Sequence, residues 1–110
     1  MLPKAHRITT GEMKTLSRPI TRSHQSAFTL LYFAAPSDKK VAVVVSKKVS
    51  KKAVVRNRLR RQIYAHVAAL LDTLPTGYYL VRVQPDISLL SSKDVREQLS
   101  VAFGEISKAR

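Results

Sequence analysis

A small two-layer α+β sandwich, with a long basic helix packed on a mixed β-sheet, is the fold that this 110-residue sequence predicts. Three observations carry the prediction. Apolar residues alternate with a period of two in some segments and recur with a period near 3.6 in others, so strands and helices share the chain. Their order is short helix, two strands, long helix, strand, helix, which is the pattern of an α+β layer fold. The length and a hydrophobic content of 45% suit one core rather than two, so residues 1–110 form a single domain, with residues 1–7 as a flexible basic arm.

Residues 9–17 (TTGEMKTLS) read as a short helix: Thr9 or Thr10 caps it, Glu12 lies in its first turn, and Met13 with Leu16 makes a brief apolar stripe. Pro19 closes it, because proline disfavours the helical conformation in the residue before it. Residues 26–34 (SAFTLLYFA) are aromatic and aliphatic and stop at the turn residues Pro36-Ser37-Asp38, which predicts a strand. Residues 40–46 (KVAVVVS) form a second strand, with Val41, Val43 and Val45 on one face and Ala42, Val44 and Ser46 on the other. From Ala53 to about Leu74 the period becomes helical. Val55, Leu59, Ile63, His66, Val67, Leu70 and Leu74 fall in one stripe, while Asn57, Arg58 and Arg61 project away from it. Pro75-Thr76-Gly77 breaks this helix, and Tyr78–Val83 reads as a further strand. A last helix spans 92–107, capped by Ser91 or Ser92, with Val95, Leu99, Ala102, Phe103 and Ile106 as its core face.

Charge narrows the function. Twenty Lys and Arg against seven Asp and Glu give a net charge of +13, which demands an anionic partner. Between Asp38 and Asp72 no acid occurs, yet half of the basic residues lie there: Lys39, Lys40, Lys47, Lys48, Lys51, Lys52, Arg56, Arg58, Arg60 and Arg61. Surfaces that serve solubility interleave both signs, so this segment reads as a nucleic-acid face. A membrane role fits poorly, since the helix needs its apolar stripe to cover the sheet. The longest apolar run, Val41–Val45, falls far short of the about 20 residues of a spanning helix. The N-terminus has no signal-peptide pattern, and a cytoplasmic protein is expected.

Catalysis by the polypeptide alone is disfavoured. Cysteine is absent, which excludes thiol chemistry and cysteine zinc sites, and His6, His24 and His66 are scattered. The seven acids are dispersed over loops and helix ends, and three glycines (Gly11, Gly77, Gly104) cannot assemble a phosphate loop or nucleophile elbow. His66, on the apolar stripe, reads as a half-buried structural histidine rather than a general base. Phe28, Tyr32 and Phe103 read as core; Phe33 suits either core or ligand.

In Ser46-Lys47-Lys48-Val49-Ser50-Lys51-Lys52 the lysines leave a strand end, and in Arg56-Asn57-Arg58-Leu59-Arg60-Arg61 the arginines open a helix. Helix N-termini favour phosphate oxygens, and the arginine fork takes a phosphate in two hydrogen bonds. Arg56 and Arg58 lie about 200° apart around the helix, so one should point outward and the other toward the sheet.

The run Val43–Arg61, with Arg56-Asn57-Arg58 preceded by the pair Lys47-Lys48, resembles the signature of the protein subunit of bacterial ribonuclease P. The likeness extends to the N-terminal spacing Ile8 to Leu16, the strand ending Tyr32-Phe33, the strand Tyr78–Val83, and Leu99-x3-Phe103. It implies a fold similar to the second domain of ribosomal protein S5, with a left-handed crossover through the long helix, a rare hand. It also implies that the chemistry belongs to an RNA subunit and its Mg²⁺ ions, that the protein alone binds no cofactor, and that a protein monomer pairs 1:1 with RNA. Lys47, Lys48, Lys51, Lys52, Arg56, Asn57, Arg58, Arg60 and Arg61 would contact RNA. The single-stranded 5′ leader of precursor tRNA would lie in a cleft between the long helix, the first helix and the sheet, lined by Met13, Leu31, Phe33, Ala42, Val44 and Ser46. The chain departs from the family where Met13 and Ser17 replace phenylalanines, Tyr64 replaces an arginine, and Ser50 replaces a glycine. A structural RNA-binding protein, such as a small ribosomal protein, is the alternative; a DNA-compacting protein is disfavoured because no recognition-helix pattern or minor-groove arm is evident.

Overall fold

The computed structural model describes Ile8, Pro19 and residues 21–33 and 39–109. The expected arm over 1–7 and the expected helix over 9–17, with Met13 and Ser17, lie outside the described residues. Strands β1 (Thr21–His24), β2 (Phe28–Phe33), β3 (Lys39–Val44) and β4 (Gly77–Val83) form one sheet in the order β1-β2-β4-β3. β2 is antiparallel to both β1 and β4, while β3 and β4 run parallel. The parallel pair is joined by helix α1 (Ala53–Leu70), and helix α2 (Ser92–Ala109) follows β4. The fold is thus α+β with a mixed sheet, as expected.

The pleat divides the sheet into two apolar faces. Phe28, Leu30, Tyr32, Val41, Val43, Tyr79 and Val81 meet Ile63, Tyr64 and Val67 of α1 and Leu99, Ala102, Phe103 and Ile106 of α2 in the main core. The rings of Tyr32 and Tyr79 sit 5.0 Å apart and those of Tyr79 and Phe103 5.5 Å, both tilted as aromatic quadrupoles prefer. On the second face Leu31, Phe33, Ala42 and Leu80 cluster with Ile8, with Val44 and Tyr78 partly buried beside them. Phe28, Tyr32 and Phe103 are therefore core residues, and Phe33 is buried on the second face.

Several expectations are corrected. β1 was not foreseen: Thr-Arg-Ser-His has no apolar residue, and its pairing with β2 is what makes it a strand. Its inward Ser23 is 3% exposed and donates its hydroxyl proton to Glu105 Oε1 of α2 at 2.8 Å, so burial leaves no unpaired group. The strand expected over 40–46 ends at Val44, although Val45 stays in the core. The long helix stops at Leu70, where a 3₁₀ turn (Leu71–Thr73) leads to Pro75. In the α1 stripe Ile63 and Val67 are buried, whereas Val55, Leu59, His66 and Leu70 are only half-buried. Tyr64, outside the expected stripe, is buried too, because its hydroxyl reaches the edge of β3.

That edge is covered. Ile8 donates its backbone N–H to the Val41 carbonyl at 3.1 Å, and Tyr64 Oη accepts the Val43 N–H at 3.1 Å, so β3 presents few open ladder groups.

Candidate nucleic-acid interface

The basic segment begins where β3 leaves the sheet. Val49 donates its N–H to the Ser46 carbonyl at 3.1 Å, closing a turn through Lys47 and Lys48. Ser50 then organises the entry to α1: its hydroxyl accepts the Lys52 N–H at 3.2 Å, and its carbonyl accepts a hydrogen bond from Arg56 Nη1 at 2.9 Å. Ser50 therefore ties the lysine turn to the helix start through its hydroxyl and its backbone carbonyl.

Lys52 is the N-cap of α1 and makes no side-chain cap, and the first turn holds no acid. The amides opening α1 thus face outward without a carboxylate, in a field of cations, an arrangement suited to phosphate oxygens. Lys47, Lys48, Lys51, Lys52, Arg58 and Arg61 are exposed, and their side chains hold no partner among the described residues. Arg58 is exposed, while Arg56, expected to turn toward the sheet, is half-buried and donates to the Ser50 carbonyl in the turn before α1. Asn57 and Arg60 pair one turn apart, Asn57 Oδ1 accepting from Arg60 Nη2. The structure thus brings all nine expected RNA-contacting residues onto the turn and the first half of α1.

The expected cleft residues separate into two groups. Leu31, Phe33 and Ala42 are buried with Leu80 and Ile8. Val44 and Ser46 instead line an open recess of about 320 Å³ together with Lys48, Arg82, Val83, Gln84 and Pro85. The body of α1 packs on the opposite face of the sheet, so among the described residues this recess is walled by β3, β4 and the turns after them, rather than by the long helix. Met13 lies outside the described residues.

Besides Gln84, Arg82 is a polar recess residue that sequence reasoning missed. It pairs across from Thr29 and Val44 and is exposed on the second face. Alternation in Tyr78–Val83 carried the signal, since an arginine two residues from Leu80 must share its face. Tyr78, on that face, has the Lys40 ammonium 5.9 Å from its ring centroid.

His66 lies away from this surface, between α1 and α2, in a hollow lined also by Ala65, Ala69, Leu70, Arg96 and Ser100. Burial, and to a lesser degree the nearby Arg96 charge, hold its imidazole below the ordinary histidine range. Among the described residues no three His, Cys, Asp or Glu gather into a group that could hold a metal ion, and no helix is long and apolar enough to cross a membrane.

The ribonuclease P family model matches residues 2–107. The ribonuclease P protein component of Microcystis aeruginosa is 39% identical over 83 residues, covering 70% of this chain and 69% of that protein. The Corynebacterium diphtheriae protein component is 28% identical over an alignment of 120 residues that covers both chains completely. Among solved structures, a mutant RNase P protein of Staphylococcus aureus superposes with a TM-score of 0.73 at 18% identity, covering 96% of this chain and 90% of that one. The Thermotoga maritima RNase P protein gives 0.65 at 21% identity, covering 82% and 83%. These two likenesses bear on the fold alone, but the sequence matches run through the lysine turn and the Arg-Asn-Arg helix start, and by them the chain belongs to the ribonuclease P protein component family.

Proposed function

We propose that this protein binds the catalytic RNA subunit of ribonuclease P through Lys47, Lys48, Lys51, Lys52, Arg56, Asn57, Arg58, Arg60 and Arg61. It also holds the 5′ leader of precursor tRNA, assisting endonucleolytic removal of the leader in tRNA 5′ maturation. The observation that carries the reading is the acid-free, uncapped start of α1, surrounded by cations of which Lys47, Lys48, Lys51, Lys52, Arg58 and Arg61 hold no partner among the described residues. Each such cation that meets a phosphate releases condensed counterions, so affinity follows salt. With about five phosphates neutralised, log K should fall with log salt at a slope of roughly −3.5 for single strands and −4.5 for duplex.

The leader reading rests on the recess beside β3 and β4. Small side chains at Val44 and Ser46 leave space, Lys48 and Arg82 supply charge, and Gln84 supplies a donor and an acceptor for a base edge. The hydrolytic chemistry is that of the RNA subunit with its Mg²⁺; this chain's residues bind and orient. One protein pairs with one RNA in the cytoplasm.

Reconstitution tests the reading. Protein added to the cognate RNA subunit at low Mg²⁺ should accelerate leader removal, and no acceleration would overturn it. A general RNA-binding protein is the other reading, and leader truncation separates the two: a leader-binding protein loses affinity for precursor tRNA, a general binder does not.

A further inference from the structure

The hollow between α1 and α2 is built from small residues and lined by hydrogen-bond donors. Ala65 and Ala69 of α1 and Ser100 of α2 keep the helices from filling a space of about 340 Å³, and Arg96, His66 and Ser100 line it. Arg96 is exposed, and its guanidinium makes no hydrogen bond or ion pair with a described residue. A second recess adjoins along the same helix pair, sharing His66 and adding Leu59, Gln62, Ile63, Ile87, Leu90, Ser92 and Val95. Among all these lining residues Arg96 is the one charged group, and no carboxylate opposes it.

The hollow is continuous with the basic helix start. Residues 58, 62, 65 and 69 succeed one another at helical spacing, so Arg58, Gln62, Ala65 and Ala69 form one strip along α1. A strand of phosphates that meets Arg58 and runs along this strip arrives at Arg96. Guanidinium, imidazole and hydroxyl together offer N–H and O–H donors suited to a phosphodiester.

We propose that the hollow between α1 and α2, at His66, Arg96 and Ser100, binds a backbone phosphate of the ribonuclease P RNA subunit. It extends the RNA contact of α1 from its first turns into its second half. This rests on the function proposed above. The RNA subunit is the occupant rather than the leader because the sheet lies between the hollow and the Val44–Ser46 recess, so a leader held in that recess faces the other way.

Affinity for the cognate RNA subunit and for a leader oligonucleotide, measured across salt concentrations for wild type, Arg96→Gln, Ala69→Trp and Arg58→Ala, tests the proposal. Arg96→Gln should weaken binding of the RNA subunit by roughly five- to twentyfold and reduce the salt slope by about 0.9, with the thermal midpoint and leader affinity unchanged. Ala69→Trp, at an exposed position, should fill the hollow and weaken the same binding without altering charge. Unchanged RNA-subunit affinity in Arg96→Gln, with Arg58→Ala weakened, would overturn the hollow and leave the proposed function standing. Equal loss for leader and RNA subunit would overturn the assigned occupant. Absence of RNA-subunit binding by the wild type would overturn both.

Discussion

The phenol oxygen of Tyr64 accepts the backbone N–H of Val43 at 3.1 Å, so a helix side chain satisfies an amide on the outer edge of the sheet. The family resemblance implies an arginine at this position. Here the side chain is buried in the core between α1 and β3, where a guanidinium would lack water and a counter-charge. Tyr64→Phe keeps the ring and orphans the amide, and should lower the unfolding free energy by about 1–3 kcal/mol in urea titration. Affinity for RNA should stay within about twofold, because the hydroxyl is spent on the protein itself.

Gly77 opens β4 with a φ of +147°, and the Tyr32 ring lies 2.3 Å from where a β-carbon on it would be. The Tyr32 hydroxyl donates to the Thr76 carbonyl and the Tyr79 hydroxyl to the Pro75 carbonyl, at 2.6 Å in the latter, so two tyrosines clamp the turn entering β4. Gly77→Ala must both strain the backbone and displace Tyr32 from the core. A loss of about 2–4 kcal/mol is expected, read as a lowered thermal midpoint, with Arg58 and its neighbours still able to bind RNA in the folded fraction.

The elements that were legible in the sequence are those whose own residues carry a period. Val41, Val43 and Val45 announced a strand face, and Val95, Leu99, Ala102, Phe103 and Ile106 the whole buried face of α2. β1 was not legible, because Thr21–His24 is polar and becomes a strand only through pairing with β2 and the Ser23–Glu105 contact 82 residues away. The basic segment was readable as a site because charge exclusion is local in sequence. The recess was not, because its wall joins Ser46 and Lys48 to Arg82 and Gln84 across a parallel pairing that no local pattern specifies.

His66 makes stability depend on pH. Its folded-state pKa lies below the ordinary histidine value through burial first and Arg96 second, so between the two values the unfolded chain binds more protons than the folded one. Stability is therefore full above the unfolded histidine pKa and declines as pH falls through it toward the depressed folded value. Arg96 is the one charged group lining the recesses beside the ring, so no carboxylate there reverses the sign. The thermal midpoint should fall from pH 7.5 to 5.5, and His66→Gln should flatten that slope.

Arg58 and Arg61 are exposed and have no partner among the described residues, while Arg56 holds the Ser50 carbonyl. Alanine at 58 or 61 should weaken RNA-subunit binding by roughly five- to tenfold and leave the thermal melt unchanged. Alanine at 56 should weaken binding and also lower the melting temperature, since it releases the turn that presents Lys47 and Lys48. Unaltered melts for all three would contradict the structural duty assigned to Arg56.

Lys48 and Arg82 line one recess from different elements, one from the turn after β3 and one from β4, with Val44 and Ser46 as its small floor. If the 5′ leader lies there, both cations act on the leader and not on the body of tRNA. Arg82→Ala should therefore reduce affinity for leader-bearing precursor tRNA by roughly five- to tenfold and leave affinity for leaderless tRNA and the isolated RNA subunit unchanged. Ser46→Trp should do the same by filling the floor, without touching charge. The two variants combined should exceed neither by much, because a leader already excluded by the indole has no phosphate left for Arg82 to hold. Additive losses, or equal losses on leaderless tRNA, would place the leader elsewhere on the molecule.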